Sequence, residues 1–191
     1  MPPAEPGQFR KLGERVRIKG DFLTYVQATF VDPNGFTFER DIVRHPGAVC
    51  IVPLEDDQAT VRMLRQYRGA VDRLVLELPA GKLDVPGEEI AHAARRELIE
   101  EIGADCRTLS FLGTFYNSPG FTDEATHCYL AEGLIETVRD TQGPEEAHMS
   151  IEKITLDEVA KLFSSGELSD AKSLIALQLA RATLEDRATR R

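Results

Sequence analysis

The sequence predicts an α/β fold, a mixed sheet with helices on its faces, preceded by a small antiparallel sheet. Three observations predict it. Short runs rich in Val, Ile, Phe and Tyr recur between turn-forming Gly, Pro, Asn and Asp residues. The stretch EEIAHAARRELIEEIG, residues 88–103, places apolar residues at helical spacing. Near the C-terminus, SDAKSLIALQLARATLEDR repeats that spacing as a second amphipathic helix.

Taken in order, residues 1–8 carry three prolines and are expected to form a flexible tail. RVRIKGDFLTYVQATFV and FTFERDIVRH then read as strands flanking Asp32-Pro33-Asn34-Gly35, which has hairpin turn chemistry. Residues 9–45 are therefore expected as an N-terminal β subdomain and 46–191 as the main domain. GAVCIVPL and ATVRMLRQYR are strand-like runs around the polar turn EDDQ, and LVLELPAG is a third. A helix is expected over about 88–102. TLSFLGTFY and ATHCYLAEGL follow as strands around the loop NSPGFTDE, and RDTQGPEEAH reads as a surface loop. The strand-like MSIEKITL leads to a helix at 156–164 and to the closing helix.

Composition narrows the function. A net charge of −9 and a pI near 5.0 argue against a phosphate-backbone binder, which needs clustered Lys and Arg, so no nucleic-acid partner is expected. No apolar run approaches the ~18 residues of a membrane span. The start MPPAEPGQFRKLGERV lacks a signal peptide's apolar core, so a cytoplasmic location is expected. Cys50, Cys106 and Cys128 read as free thiols rather than zinc ligands, despite His127 beside Cys128.

The helix at 88–102 carries an anomaly. Measured from Ile90 in steps of about 100°, Ala94, Leu98 and Ile102 mark a buried stripe, and Glu97 and Glu101 fall at its edge, with Glu100 further round. Like charges at this spacing cost a helix ~0.2–0.5 kcal/mol per pair, and burying unpaired carboxylates costs far more. Arg96 can reach the cluster but is one charge against three. A hard divalent cation with oxygen ligands, Mg²⁺ or Mn²⁺, fits the need, and such ions also bind substrate phosphates.

These residues carry a resemblance. Gly81-Lys82-Leu83-Asp84-Val85-Pro86-Gly87-Glu88, seven further residues, and then Arg96-Glu97-Leu98-Ile99-Glu100-Glu101-Ile102-Gly103-Ala104 resemble the signature box of the Nudix hydrolases. Six residues separate Gly81 from Glu88, where the usual pattern has five. ERDIVRHPGAV, RQYRG, ELPAGKLD, SPGFTDE with Pro119 sixteen residues beyond Gly103, and GELSDAKSLIALQLA extend the likeness to the ADP-ribose pyrophosphatase branch.

The resemblance implies a Nudix-type α/β/α sandwich, cleavage of a nucleoside diphosphate linked to another group, and a homodimer with exchanged N-terminal strands. It implies Glu97 and Glu101 as metal ligands, Glu100 as a further or shared ligand, and the Ala80 carbonyl as another. Arg96 would orient the acids through charge-assisted hydrogen bonds. Glu88 would either cap the helix or act in catalysis. A general base is expected in the late acidic loop, at Glu146 or its neighbour Glu145; His148 is the less favoured candidate. Arg68, and beside it Arg65, are the expected phosphate contacts. Arg40 would reach a partner's site, and Glu77 would lie near the ribose or metal. Several relatives clamp adenine with tryptophan, and this chain has none. Leu76 stands where one relative carries it, which leaves Phe22, Tyr25 or Phe30 for base stacking.

The implied reaction is Mg²⁺-dependent hydrolysis of ADP-ribose to AMP and ribose 5-phosphate. GDP-mannose, ADP-glucose, NADH or FAD are alternative substrates. A non-catalytic nucleotide sensor is a third reading, disfavoured because Glu97, Glu100 and Glu101 are all present. A P-loop nucleotidase is excluded, since Leu83 follows Gly81-Lys82 and the first glycine is missing.

Overall fold

The computed structural model describes residues 8–139 and 148–190. It divides into two compact units, one of residues up to Gly47 with Tyr116–Ala125, the other of Ala48–Phe115 and Thr126–Arg191. Among the described residues, no helix is long and apolar enough to cross a membrane.

The first unit holds a three-stranded antiparallel sheet, β1 (Arg10–Lys19), β2 (Thr24–Val31) and β3 (Thr37–Arg44), in that spatial order. The sequence reading ran β1 and β2 together. They are divided at Gly20, whose amide donates to the Leu23 carbonyl at 2.8 Å in a turn without Pro or Asn to announce it. The second turn is the expected one: Asp32 Oδ1 accepts from the Asn34 and Phe36 amides, and Gly35 supplies φ 88°. Phe30 stacks on Phe38 with ring centroids 5.5 Å apart, and Phe22 meets His45 edge-on at 5.8 Å.

In the second unit, β4 (Ala48–Pro53) is the central strand. It pairs antiparallel with β7 (Ala80–Lys82) and parallel with β9 (Ala125–Glu136), with β8 (Ala104–Tyr116) beyond β9. A second sheet orders β10 (Ser150–Thr155), β5 (Thr60–Arg68) and β6 (Arg73–Glu77), all antiparallel. Every residue of β4 is buried, so both its faces are covered. Val49 and Ile51 pack with Ala93, Ala94, Leu98 and Ile102 of α1 (Ile90–Ile102). Cys50 and Val52 face the other way, toward Val159 of α2 (Val159–Ser165) and Ala176, Leu177 and Ala180 of α3 (Ala171–Thr189). The alternation of one strand thus produces the expected sandwich, each buried Leu or Val contributing about 1.5–3 kcal/mol.

The three cysteines are free and buried. Cys128 lies directly opposite Cys50 in the β4–β9 register, while His127, one residue away, points to the opposite face of the strand.

The box helix ends at Gly103, with φ 64° and its amide donating to the Ile99 carbonyl at 2.9 Å. A Cβ there would sit 3.2 Å from the Thr137 carbonyl oxygen in a left-handed backbone. Gly103→Ala is expected to cost about 1 kcal/mol or more, lowering Tm by a few degrees. An unchanged melting curve would mean that the helix end does not depend on this cap.

Candidate active site

The site is built where α1 crosses the end of β7. Burial on α1 follows the predicted phase: Ala93, Ala94, Leu98 and Ile102 are buried, and with them Glu97 at 9% and Glu101 at 3% exposure. Glu101 Oε2 accepts from the Ala80 amide at 2.8 Å. A Cβ on Gly81 would collide with the Glu97 carboxylate, so the strand approaches the acids closely only because residue 81 is glycine. Burial raises the Glu101 carboxyl to about 8; the Ala80 amide opposes the rise, while the charges of Glu97 and Glu77 add to it.

Arg96 draws the remaining acids together. Its Nη1 donates to Glu97 Oε1 at 2.6 Å and to Glu100 Oε2 at 3.0 Å, and its Nε and Nη2 grip Glu88 at 3.1 Å each. The pull of Glu88 above all, then of Glu97 and Glu100, raises the arginine's pKa above its ordinary value. Glu88 is therefore a partner of Arg96 and not a helix cap. The N-cap is Glu89, without a side-chain cap bond, and the additional loop residue is taken up in a turn where the Glu88 amide donates to the Val85 carbonyl at 3.2 Å, with Gly87 at φ 79°.

The donor set fits a divalent cation on two counts. One arginine stands against three carboxylates, and Glu101 is buried with one amide donor for its charge. Among the described residues, no three Asp, Glu, His or Cys side chains already converge as a ready cluster. Glu97 and Glu100 are turned to Arg96 and Glu101 to the Ala80 amide, so seating an ion on all three acids requires side-chain rotation away from these partners.

Next to Glu101 lies a second set of charges, fully matched. Glu77, at the end of β6 and 1% exposed, accepts from Arg68 Nε at 2.7 Å on Oε1 and from Lys172 Nζ on Oε2. Lys172 also donates to Asp170 Oδ2 at 3.0 Å. Burial opposes the Lys172 charge, but the attraction of Glu77 and Asp170 outweighs it and raises its pKa. Asp170 caps α3 by accepting from the Ser173 amide and hydroxyl, and Ser173 Oγ accepts from the Leu78 amide at 2.7 Å. Arg68 is 42% exposed along its side chain, and its Nη groups donate no hydrogen bond among the described residues. It lies close enough to Glu101 to oppose that group's upward shift.

Ala80, Glu97, Glu100, Glu101, Arg96, Glu77 and Arg68 are thus gathered around the box. Arg65 faces the other side of β5, where its guanidinium engages Glu152 and Glu167. Arg40 belongs to the first unit and lies over the Phe38 ring, 4.6 Å from its centroid. Pro119 is also in that unit, in a turn where the Phe121 and Thr122 amides donate to the Ser118 carbonyl. Glu145 and Glu146 lie outside the described residues, and His148 is exposed. Leu76 is fully buried in the core. The sequence reading missed Lys172 and Asp170 as neighbours of the site. Their signal is the N-cap pattern Asp170-Ala171-Lys172-Ser173 at the start of α3, which specifies a helix start but not that Glu77 lies beside it.

The family model for the NUDIX domain matches residues 44–176. The ADP-ribose pyrophosphatase of Bacillus subtilis is 40% identical over 146 residues, 76% of this chain and 78% of that protein. The methanol dehydrogenase activator of Bacillus methanolicus is 39% identical over the same shares. At 28% identity, over 78% of this chain and 82% of the relative, stands the GDP-mannose pyrophosphatase of Yersinia enterocolitica. A crystal structure of an ADP compounds hydrolase superposes with a TM-score of 0.82, covering 97% of this chain and 98% of that one at 23% identity, which supports the fold. Nudix hydrolases generally use divalent metal ions, in keeping with the excess of carboxylates over Arg96 on α1. A family match over most of its length, with relatives at this identity, makes the chain a member of the Nudix family and a pyrophosphohydrolase of the ADP-ribose pyrophosphatase-like kind.

Proposed function

We propose that the protein hydrolyses the pyrophosphate bond of ADP-ribose, giving AMP and ribose 5-phosphate, with Mg²⁺ as cofactor and Mn²⁺ as its substitute. The observation that carries this reading is the acid cluster of α1 behind Ala80-Gly81, in which carboxylates outnumber Arg96 and Glu101 is buried on a single amide donor, beside an Arg68 fork whose terminal nitrogens donate no hydrogen bond among the described residues. The similarity to a protein named ADP-ribose pyrophosphatase supports the substrate. Glu97, Glu101 and the Ala80 carbonyl, with Glu100 shared, would hold the ion. When bound, it neutralises phosphate charge and makes phosphorus more electrophilic. Arg96 keeps the acids in place, and Arg68 holds the diphosphate through its terminal nitrogens. Glu146, or failing it Glu145, takes the proton of the attacking water as the bond to the bridging oxygen breaks. The first unit forms the interface of a homodimer with exchanged strands, bringing Arg40 to the partner's site, and the enzyme acts in the cytoplasm.

A second reading has an observation of its own. The chain lacks tryptophan for an adenine clamp and has a relative named for GDP-mannose, so GDP-mannose is the first competing substrate. Incubation with ADP-ribose, GDP-mannose, ADP-glucose, NADH and FAD plus Mg²⁺, with products identified by mass, decides. The expected products are AMP and ribose 5-phosphate, with ADP-ribose turned over fastest. Release of GMP and mannose 1-phosphate as the faster reaction would select the second reading.

Glu101→Gln is expected to abolish nearly all turnover while the fold survives. The metal-free protein gives an independent check. The Glu101 carboxyl titrates at about 8 when folded against a reference of 4.5. Below 4.5 it is protonated in both states; between 4.5 and 8 the unfolded chain releases this proton while the folded chain keeps it, so stability falls as pH rises. Denaturant unfolding across this range in chelator should show that fall in the wild type and a flatter profile in Glu101→Gln. Parallel profiles would contradict the burial of a protonated carboxyl.

For the base, Glu146→Gln should lower kcat by about 10²–10⁴ while leaving the Mg²⁺ requirement unchanged, with Glu145→Gln mild. A raised Mg²⁺ requirement would make Glu146 a ligand; equal, small effects at both positions would remove the loop base altogether. Sedimentation of the full-length protein at micromolar concentration should give a dimer, and a monomer would overturn the exchanged-strand assembly.

A further inference from the structure

We infer that Lys172 is a positioning residue for the substrate. By occupying Glu77 Oε2 it holds Arg68 to a single Nε bond and keeps both terminal guanidinium nitrogens available to a diphosphate. The inference rests on the phosphate role given to Arg68 above and names what maintains it.

An arginine beside a carboxylate ordinarily closes a bidentate fork, two parallel N–H···O bonds. Arg68 does not. Its Nε donates to Glu77 Oε1 at 2.7 Å, and the second oxygen is taken by Lys172 Nζ. Glu77 is 1% exposed, so water does not compete for that oxygen. Without Lys172, a buried carboxylate would be left with one unsatisfied oxygen, and the nearest cation able to satisfy it is Arg68. Rotation of the carboxylate and guanidinium into a fork would then consume one terminal nitrogen and turn the other from the site.

Lys172 is itself fixed. Asp170 Oδ2 accepts from its Nζ at 3.0 Å and from the Ser173 amide at 3.0 Å, and Ser173 Oγ accepts from the Leu78 amide, one residue after Glu77. The start of α3 is thereby tied to the end of β6 at two points, through a cap hydroxyl and through an ammonium. A role confined to stability would need only the first of these ties. The ammonium adds a choice of which Glu77 oxygen the arginine receives.

The test is a double-mutant cycle read by binding. The Mg²⁺-loaded protein is titrated calorimetrically with α,β-methylene-ADP, a diphosphate whose bridging carbon resists hydrolysis, using wild type, Arg68→Gln, Lys172→Met and the double variant. Arg68→Gln should weaken binding about 10- to 100-fold, the range of a charge-assisted hydrogen bond, and Lys172→Met about 10-fold. The double variant should bind no more weakly than Arg68→Gln alone, and Lys172→Arg should restore most of the affinity. Additive losses, or unchanged binding in Lys172→Met, would overturn the inference. If Lys172→Met lacks a cooperative thermal transition, Asp170→Asn replaces it in the cycle, since it keeps a capping oxygen but loosens the ammonium; the same coupling to Arg68 is expected, and its absence is decisive against it. Binding through Arg68 without turnover of any nucleoside diphosphate sugar would overturn the enzymatic reading and leave the cycle intact. Turnover with an additive cycle would overturn the role of Lys172 alone. Failure of the wild type to bind the analogue would overturn both.

Discussion

A carboxylate cannot be taken out of water without a counter-charge or a proton, and Glu101 is taken almost wholly out of water. Much of the site follows from that constraint. Glu101 cannot relax outward, because it lies on the stripe that packs α1 onto β4 through Ala94, Leu98 and Ile102. It has one backbone donor, the Ala80 amide, and its pKa stands near 8. At neutral pH, then, the folded protein holds either a proton or a cation at this position. A divalent ion bound here would resolve the conflict that the helix creates. The hydrophobic phase of the helix and the need for a proton or a cation at Glu101 are one fact seen at two scales.

That arrangement depends in turn on β4. Because each of its residues is buried, successive side chains must find apolar partners on opposite faces, which places α1 on one side and α2 with α3 on the other. The box acids come from the first layer and Lys172 from the second. Glu77 and Ala80, on either side of Leu78-Pro79, stand where both layers can be met: Ala80 contacts Glu101 of α1, and Glu77 contacts Lys172 of α3. A strand that breaks and resumes within a few residues serves two helices at once.

The parts legible in the sequence were those governed by local periodicity. Helical phase alone put Glu97 and Glu101 on the buried edge and Glu100 further round, and the structure agrees. The Asp32–Gly35 turn was equally legible, since its side-chain oxygen and its glycine act within five residues. What was not legible depended on contacts distant in sequence or on weak turn chemistry. Arg65 and Arg68 look alike on paper, yet an odd separation along a strand sends them to opposite faces, and the ion partners Glu152 and Glu167 decide what Arg65 does. Glu88 read as opening the helix because spacing fixes where a residue lies, not which of several cations it meets; Arg96, eight residues on, claims both its oxygens. Lys172 lies 95 residues from Glu77 in the chain, and no local pattern links them.

The two charge clusters around Glu101 differ in a way that assigns them different work. On the α3 side, Arg68 and Lys172 face Glu77 and Asp170, cations and anions in equal number, with both Glu77 oxygens and Asp170 Oδ2 bonded. A balanced network of this kind, anchored on the buried Glu77, has little to gain from an added ion and resists rearrangement, which suits it to holding a backbone and a guanidinium in register. On the α1 side, Arg96 faces Glu88, Glu97 and Glu100, and Glu101 adds a further acid. That imbalance costs the folded chain stability, and a cation bound to these acids would recover it. Electrostatic strain is therefore concentrated in the α1 layer and removed from the layer that holds Arg68. Arg68 itself stands between them: anchored through Nε to the balanced cluster, it acts on Glu101 of the unbalanced one, and its terminal nitrogens donate no hydrogen bond among the described residues.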